Sequence, residues 1–122
     1  AKWHQMAAEK GNSLAQYNLG LMFFDGKGVP QNYEEAARLY KLSADQGIAS
    51  AQYALGWMYA NGKGVEQDNV QAYMRFNMAA NKGNNNAEKW RVSISKKMTI
   101  EQITQSKNMA RECEERNYKE CN

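Results

Sequence analysis

The sequence predicts an all-α fold, an α/α solenoid of helix-loop-helix repeats that ends in a pair of C-terminal capping helices. Three observations favour this fold. The chain repeats itself with a period of 36 residues, apolar side chains recur within each unit at helical spacing, and the last part of the chain departs from the repeat. With 122 residues, the chain has the length of one domain, which buries about two thirds of the surface of its unfolded state.

Composition excludes several classes of protein. The aromatic content of 11% argues against intrinsic disorder. A mean hydropathy of -0.83, with no apolar run near the roughly 20 residues that cross a bilayer, argues against membrane insertion. The net charge of +3 is too small to indicate a nucleic-acid partner without a basic patch. Lysines and arginines are frequent between 82 and 97, but no nucleic-acid-binding motif accompanies them, so we interpret them as a solvated face.

The internal repeat is the strongest pattern in the chain. A shift of 36 residues aligns the segment AQYNLGLM at 15–22 with AQYALGWM at 51–58, and no gap is needed. We therefore divide the chain into a partial repeat at 2–14, full repeats at 15–50 and 51–86, and a C-terminal cap at 87–122. Because the chain begins in the middle of a unit, we expect it to be a fragment or a matured form of a longer array.

The first helix of each full repeat is predicted to have one apolar face. In the first repeat this face contains Ala15, Leu19 and Met22, and the residues 36 positions later are again Ala, Leu and Met. Gly20 and Gly56 interrupt these helices at equivalent positions, where glycine costs about 1 kcal/mol relative to alanine. A cost that recurs in both repeats indicates that a partner helix approaches closely at this point.

The second helix of each full repeat has recognisable ends. Asn32 and Asp68 are predicted N-caps, and the glutamate or glutamine three residues later completes the spacing of a capping box. The helices are expected to end at Gly47 and Gly83, since helix C-termini favour a residue in the left-handed conformation. The Gly-Lys-Gly segments that precede these helices lack the strand and the Ser/Thr of a phosphate-binding loop, so we interpret them as turns.

After residue 86 the repeat pattern ends and two further helices are predicted. The apolar stripe of the first consists of Ala87, Trp90, Ile94 and Met98. The second opens with a Thr99–Gln102 capping box, and its stripe consists of Ile100, Ile103, Ala110 and Cys113. Such a pair covers the core face that the last repeat of an array would otherwise expose.

The repeated motif A-Q-Y-x-L-G-x-M-(F/Y)-x-x-G-x-G-V, followed by Ala36 or Ala72, resembles the Sel1-like repeat, a relative of the tetratricopeptide repeat with a longer loop. The resemblance covers 2–86. Leu39 and Arg75 stand where that family usually has Trp, and Ser43 where it usually has Ala. The resemblance implies a solenoid whose first helices line a concave surface. It implies a scaffold for a protein or peptide partner rather than an enzyme, with no cofactor and no metal.

Candidate binding residues follow from a comparison of the two repeats. Positions that are identical in both satisfy the stacking of one unit on the next, whereas first-helix positions that differ are free to recognise a partner. Trp57 and Phe24 are the leading candidates, because aromatic side chains dominate binding energies. The full candidate set is Asn18, Leu21, Phe24, Asp25, Trp57 and Asn61. The alternative is that Phe24 and Trp57 belong to the core or seal the joint between repeats.

The tail contains the two cysteines of the chain, Cys113 and Cys121, and this ending is similar to the caps of bacterial Sel1-like proteins. Eight positions of unbroken helix rise about 12 Å, too far for a disulfide, but Asn117 is a plausible left-handed stop that turns the chain back. The resemblance implies a disulfide between the two cysteines and therefore a periplasmic or secreted protein. Two reduced cysteines in a cytosolic protein are the alternative.

Signs of catalytic chemistry are sparse. The single histidine, His4, has no partners in sequence for a metal site or a triad, and we interpret it as a surface or packing residue. Ser93 and Lys96 have the S-x-x-K spacing of penicillin-recognising enzymes, but the companion S-D-N and K-T-G motifs are absent. The leading hypothesis is a protein-binding factor in host interaction, envelope regulation or toxin immunity. The alternatives are a β-lactam-hydrolysing enzyme that uses Ser93 and Lys96, and a cytosolic assembly adaptor.

Overall fold

The computed structural model of the protein describes residues 8, 10–119 and 121. These residues form helices joined by short loops, and they contain no strand, so the all-α prediction is confirmed. His4 and most of the partial repeat predicted at 2–14 lie outside the described residues. The helices that lie wholly within the described residues are α1 (Ser13–Asp25), α2 (Tyr33–Ala44), α3 (Ala49–Asn61), α4 (Asn69–Asn81), α5 (Asn85–Ser95) and α6 (Ile100–Glu115).

The helices pack in chain order up to the cap. Helix α1 packs against α2, α2 against α3, and α3 against α4, while α5 and α6 both pack against α4. One buried cluster lies between α2 and α3 and contains Tyr40, Leu55 and Met58. A second lies between α4 and α5 and contains Phe76 and Ile94. The half-buried Trp57 packs against both clusters, which makes the core continuous along the array.

The predicted helix starts are present, with one difference in detail. The side chains of Asn32 and Asp68 each accept a hydrogen bond from the backbone N–H three residues on, at 3.1 Å. The reciprocal side-chain bond that completes a capping box forms at Thr99 and Gln102 of α6. At α2, the carboxylate of Glu35 pairs with Arg38 instead, and at α4 the side-chain oxygen of Gln71 has no hydrogen-bond partner among the described residues, so both predicted boxes are only half formed.

The two mid-helix glycines allow the second helix of each repeat to approach closely, as predicted. A Cβ atom on Gly20 would lie 2.8 Å from the ring of Tyr40, and one on Gly56 would lie 2.8 Å from the ring of Phe76. Both distances are shorter than carbon atoms tolerate, so only glycine fits. Gly47 and Gly83 end their helical segments with φ angles of 83° and 91°, which confirms the left-handed ends.

The cap follows the predicted stripes except at Ile100 and at Trp90, which is 38% exposed although its ring stacks on that of Phe76. Ala110 and Cys113 of α6 are buried, but Ile100 is 80% exposed. The reason is the register of α6 on α4: Ser106 donates a hydrogen bond to the carbonyl oxygen of Val70, at the first turn of α4. Residues well ahead of Ser106 therefore extend past the beginning of α4, and Ile100 has no helix beneath it.

The tail turns back along α6 and is joined to it by a disulfide, as predicted. Cys113 and Cys121 are bonded, with their Cα atoms 5.3 Å apart. Asn117 and Tyr118 have positive φ angles of 55° and 66°, and the N–H of Tyr118 donates to the carbonyl oxygen of Cys113 at 2.8 Å. Arg75 of α4, 1% exposed, donates from Nη2 to the carbonyl oxygen of Cys121 at 2.7 Å. Arg75 thus holds the tail against α4.

Candidate functional site

The first helices of the two full repeats present matching stripes of side chains. Tyr17, Leu21 and Phe24 of α1 are four and three residues apart, so they lie on one face of the helix. The same positions of α3 hold Tyr53, Trp57 and Ala60. All six side chains are half-buried rather than fully covered.

These stripes form the walls of a groove between α1 and α3. Its volume is about 280 Å³. The lining consists of Tyr17, Leu21, Phe24 and Asp25 from α1, Tyr40 from α2, and Tyr53, Ala54 and Trp57 from α3. Tyr40 is 2% exposed and forms the floor, because the glycine at position 20 allows its ring to lie directly beneath α1. We call this site the aromatic groove.

Aromatic contacts fix the shape of the aromatic groove. The ring of Phe24 meets the ring of Trp57 edge to face, with centroids 5.3 Å apart, and meets the ring of Tyr33 in the same manner at 5.3 Å. The rings of Tyr17 and Tyr40 lie 5.8 Å apart in a tilted arrangement. Edge-to-face and tilted pairs are favourable geometries for aromatic side chains, so the walls are held in place before any partner arrives.

Burial favours the neutral form of two phenol groups of the groove, those of Tyr40 and Tyr17. Burial raises the pKa of Tyr40 well above its usual value, and the negative charge of Asp25 raises it further. Burial also raises the pKa of Tyr17, with a smaller contribution from Tyr53. The lining thus combines these phenols with one carboxylate, that of Asp25.

The structure brings four of the six candidate residues together. Leu21, Phe24, Asp25 and Trp57 line the aromatic groove. Asn18 and Asn61 do not line it. Asn18 is half-buried on α1, and the side-chain amide of Asn61 donates to the carbonyl oxygen of Trp57 at 2.9 Å, at the exposed end of α3.

Tyr17, Tyr40 and Tyr53 line the groove although the comparison of the repeats did not single them out, and Ala54, at a position that differs between the repeats, was not among the candidate residues. Tyr17 and Tyr53 are identical in both repeats, and identical positions were assigned to stacking alone. The spacing of Tyr17, Leu21 and Phe24 on one helical face is the signal that could have found them. Half-exposed aromatic residues at this spacing pack between the repeats and also form part of the accessible surface.

The residues considered for catalysis lie elsewhere. Ser93 and Lys96 are both exposed at the C-terminal end of α5. An exposed helix surface does not provide the water-excluded site in which fixed donors stabilise a transition state. No group of three potential metal ligands occurs within the described residues. Of the helices in this part of the chain, none combines the length and apolar character required to cross a membrane.

Comparisons with known proteins identify the family. The model of the Sel1 repeat matches residues 1–12, 13–48 and 49–84. The chain therefore belongs to the Sel1 repeat family, whose members are generally non-enzymatic scaffolds for protein–protein interaction. No curated protein matches the sequence.

Two crystal structures show the same architecture. One is c5321, a protective antigen of uropathogenic Escherichia coli strains with an SLR fold, which is 34% identical with a TM-score of 0.89. The match covers 96% of this chain and 26% of that one, so the chain spans about a quarter of the length of c5321. The other is a Sel1 repeat protein from Oxalobacter formigenes, 38% identical with a TM-score of 0.73, matched over 75% of this chain and 69% of that one. The predicted α/α solenoid is thereby confirmed.

Proposed function

We propose that this protein binds a protein or peptide partner on the concave face of the solenoid, with the aromatic groove at the centre of the interface. The observation that carries the proposal is the convergence of Leu21, Phe24, Asp25 and Trp57 with three tyrosines on one groove. Phe24 and Trp57 differ between the repeats, and although their rings meet across the joint between the repeats, both side chains remain partly exposed. Large aromatic side chains in a preformed groove are the residues that dominate binding energies.

A binding role follows from the same geometry. The aromatic groove is small and open, and its walls carry rings and one carboxylate rather than a nucleophile with a base. Such a surface recognises a side chain or a short segment of another protein. Host interaction, envelope regulation and toxin immunity all need this kind of recognition, and we place the protein among these roles.

The binding proposal is tested with peptides displayed on phage and selected on the purified protein. The affinities of the selected peptides are then measured for the wild type, Trp57→Ala and Trp90→Ala. Trp90 is the matched control, because it is also a partly exposed tryptophan, stacked on Phe76 at a centroid distance of 6.3 Å and outside the groove. We expect Trp57→Ala to weaken binding at least about tenfold, or 1.4 kcal/mol, and Trp90→Ala to leave it unchanged.

Stability measurements separate binding from folding. Trp57 packs against two core clusters, so Trp57→Ala also removes packing. Because this side chain is only half-buried, we expect a smaller loss than the roughly 3–5 kcal/mol of a fully buried tryptophan. Trp57→Leu, which keeps apolar contact but lacks the ring, should fold normally and still bind weakly. Undiminished binding by both variants would contradict the proposal.

We further propose a periplasmic or secreted location. The disulfide between Cys113 and Cys121 supports it, because disulfides persist in oxidising compartments and are rare in the cytosol. Alkylation of the protein in native cells, without reductant, is the test. Two unmodified cysteines in the periplasmic or secreted fraction are the expected result. Two alkylated cysteines in the cytosolic fraction would instead favour an assembly adaptor of the same fold.

A further inference from the structure

The electrostatic character of the aromatic groove narrows the choice of occupant. Of its eight lining residues, Asp25 is the one acidic residue and none is basic, and Asp25 is exposed at the last position of α1. Within the described part of the chain, no basic side chain lies within 4.0 Å of its carboxylate. No ion pair within the described residues therefore occupies this carboxylate, and it is open to a partner.

The aromatic walls of the groove, like the carboxylate of Asp25, favour a positively charged occupant. Aromatic faces carry negative electrostatic potential and attract a cation placed within about 6 Å of the ring centroid. The aromatic side chains of this region already hold one cation at their outer edge. Lys63 places Nζ 5.6 Å from the ring centroid of Tyr33, and Tyr33 in turn packs against Phe24. Rings and carboxylate thus favour a positively charged group.

The size of the aromatic groove suits a single side chain. Pockets for drug-sized ligands begin at about 300 Å³, and the aromatic groove has about 280 Å³ and is open. A long side chain can bury its methylene stem between the rings and leave its charged end at the rim, as arginine and lysine do elsewhere. Arginine fits better than lysine, because its planar group stacks on aromatic faces and pairs with a carboxylate through two hydrogen bonds.

We propose that the aromatic groove receives an arginine side chain of the partner, with the guanidinium stacked between the rings of the groove and paired with the carboxylate of Asp25. The inference deepens the proposed function and rests on it. It names the chemistry of the anchor residue that the partner inserts. It also assigns Asp25 the role of selecting charge, while Trp57 and Phe24 supply contact area.

The test uses four blocked five-residue peptides, acetyl-Ala-Leu-X-Leu-Ala-amide, in which X is arginine, lysine, citrulline or leucine. Citrulline has the shape of arginine without its charge. Binding is followed by the indole N–H resonance of Trp57, assigned through Trp57→Phe. We expect the arginine peptide to bind at least about tenfold more tightly than the citrulline peptide, with the lysine peptide between them. The preference should shrink as salt is added.

Variants test whether the carboxylate of Asp25 causes the preference for the arginine peptide. Asp25→Asn should reduce the affinity for the arginine peptide about five- to tenfold and leave the affinity for the citrulline peptide unchanged. The control is Glu66→Gln, which makes the same charge change at an exposed residue outside the groove lining and should leave both affinities unchanged. Asp25 is exposed, so its substitution leaves the packed interior intact.

The outcomes separate this inference from the proposed function. Equal affinities for the arginine and citrulline peptides, or tightest binding of the leucine peptide, would overturn the arginine proposal while supporting the groove as a binding site. No shift of Trp57 with any of the four peptides would also overturn the arginine proposal. The selected phage peptides and their dependence on Trp57 would then still decide whether the groove binds anything else.

Discussion

At the scale of single residues, Gly20 and Gly56 determine how near the second helix of each repeat comes to the first. The rings of Tyr40 and Phe76 occupy the space that a side chain would need. This approach has a functional consequence in the first full repeat, since the ring beneath Gly20 is the floor of the aromatic groove. The site is therefore shaped by a residue that contributes no side chain to it.

Substitution of these glycines tests the close approach of the helices, because the expected change in stability is opposite to that in an exposed helix. In an exposed helix, Gly→Ala raises stability by about 1 kcal/mol because alanine is the better helix former. Here the added Cβ meets an immobile, buried ring, so we expect Gly56→Ala to lower stability, and Gly20→Leu and Gly56→Leu each to lower it by about 1–3 kcal/mol. Urea unfolding measures the effect. A gain in stability for Gly56→Ala would show that the two helices are farther apart than described.

Tyr40 makes stability sensitive to alkaline pH. Its pKa is raised in the folded state, chiefly by burial, whereas the unfolded chain has the ordinary value near 10. Above that value the unfolded state loses the phenol proton while the folded state keeps it, so the free energy of unfolding falls as the pH rises. We expect the loss to begin near pH 10 in urea titrations. Tyr40→Phe should flatten the decline, and an equal decline in this variant would contradict the assignment.

The composition of the aromatic groove was only partly predictable from the sequence. Variation between repeats singled out Leu21, Phe24, Asp25 and Trp57, because packing tolerates change there. It could not identify Tyr17, because this residue is the same in both repeats. Its side chain serves both packing and the groove, since its ring contacts that of Tyr40 and also lines the groove. When packing already keeps a residue the same in both repeats, a comparison of the repeats cannot show that the residue also lines a binding groove.

At the scale of helices, α4 and the tail are joined by a buried arginine. Arg75 occupies a position that is usually Trp in this family, and burial lowers the pKa of its guanidinium. Its Nη2 donates to the carbonyl oxygen of Cys121, while its Nε is buried and has no hydrogen-bond partner among the described residues. The disulfide keeps Cys121 within reach of Arg75. The hydrogen bond and the covalent link therefore depend on each other.

A double-mutant cycle measures this dependence. Cys121→Ser opens a short loop and should lower stability by about 2–3 kcal/mol. Arg75→Met removes the charge at similar volume and should lower stability by about 1–2 kcal/mol in the oxidised protein, where it breaks a charge-assisted hydrogen bond. With Cys121→Ser the tail is released and Arg75 loses its acceptor, so we expect Arg75→Met to be neutral or stabilising. Additive losses in the double variant would show that the two interactions are independent.

At the scale of the whole molecule, the repeat pattern predicted the architecture well and the placement of the cap less well. Both full repeats pack in the same way, so a motif that occurs twice in the sequence is enough to predict the solenoid. The cap occurs once, and nothing in the sequence compares α6 with a second example. Its register on α4 depends on contacts such as Ser106 with Val70, which no periodicity encodes, and for this reason Ile100 was wrongly assigned to the core.

The arrangement of the helices predicts where the molecule opens last. Each unit of a solenoid is stabilised by its neighbours, so a helix covered on several sides cannot open without them. Helix α4 packs against α3, α5 and α6, and its side chains at 72, 74, 76 and 78 are at most 1% exposed. We therefore expect the slowest amide hydrogen exchange in α4 and faster exchange in α1, which packs against α2 at one end of the described helices.

Mass spectrometry of proteolytic fragments measures the exchange. Cys121→Ser is the control, and it should speed exchange in α6 and α4 but not in α1. Stronger protection of α1 than of α4 would mean that the stability of the array is concentrated in its first full repeat and not at the junction with the cap.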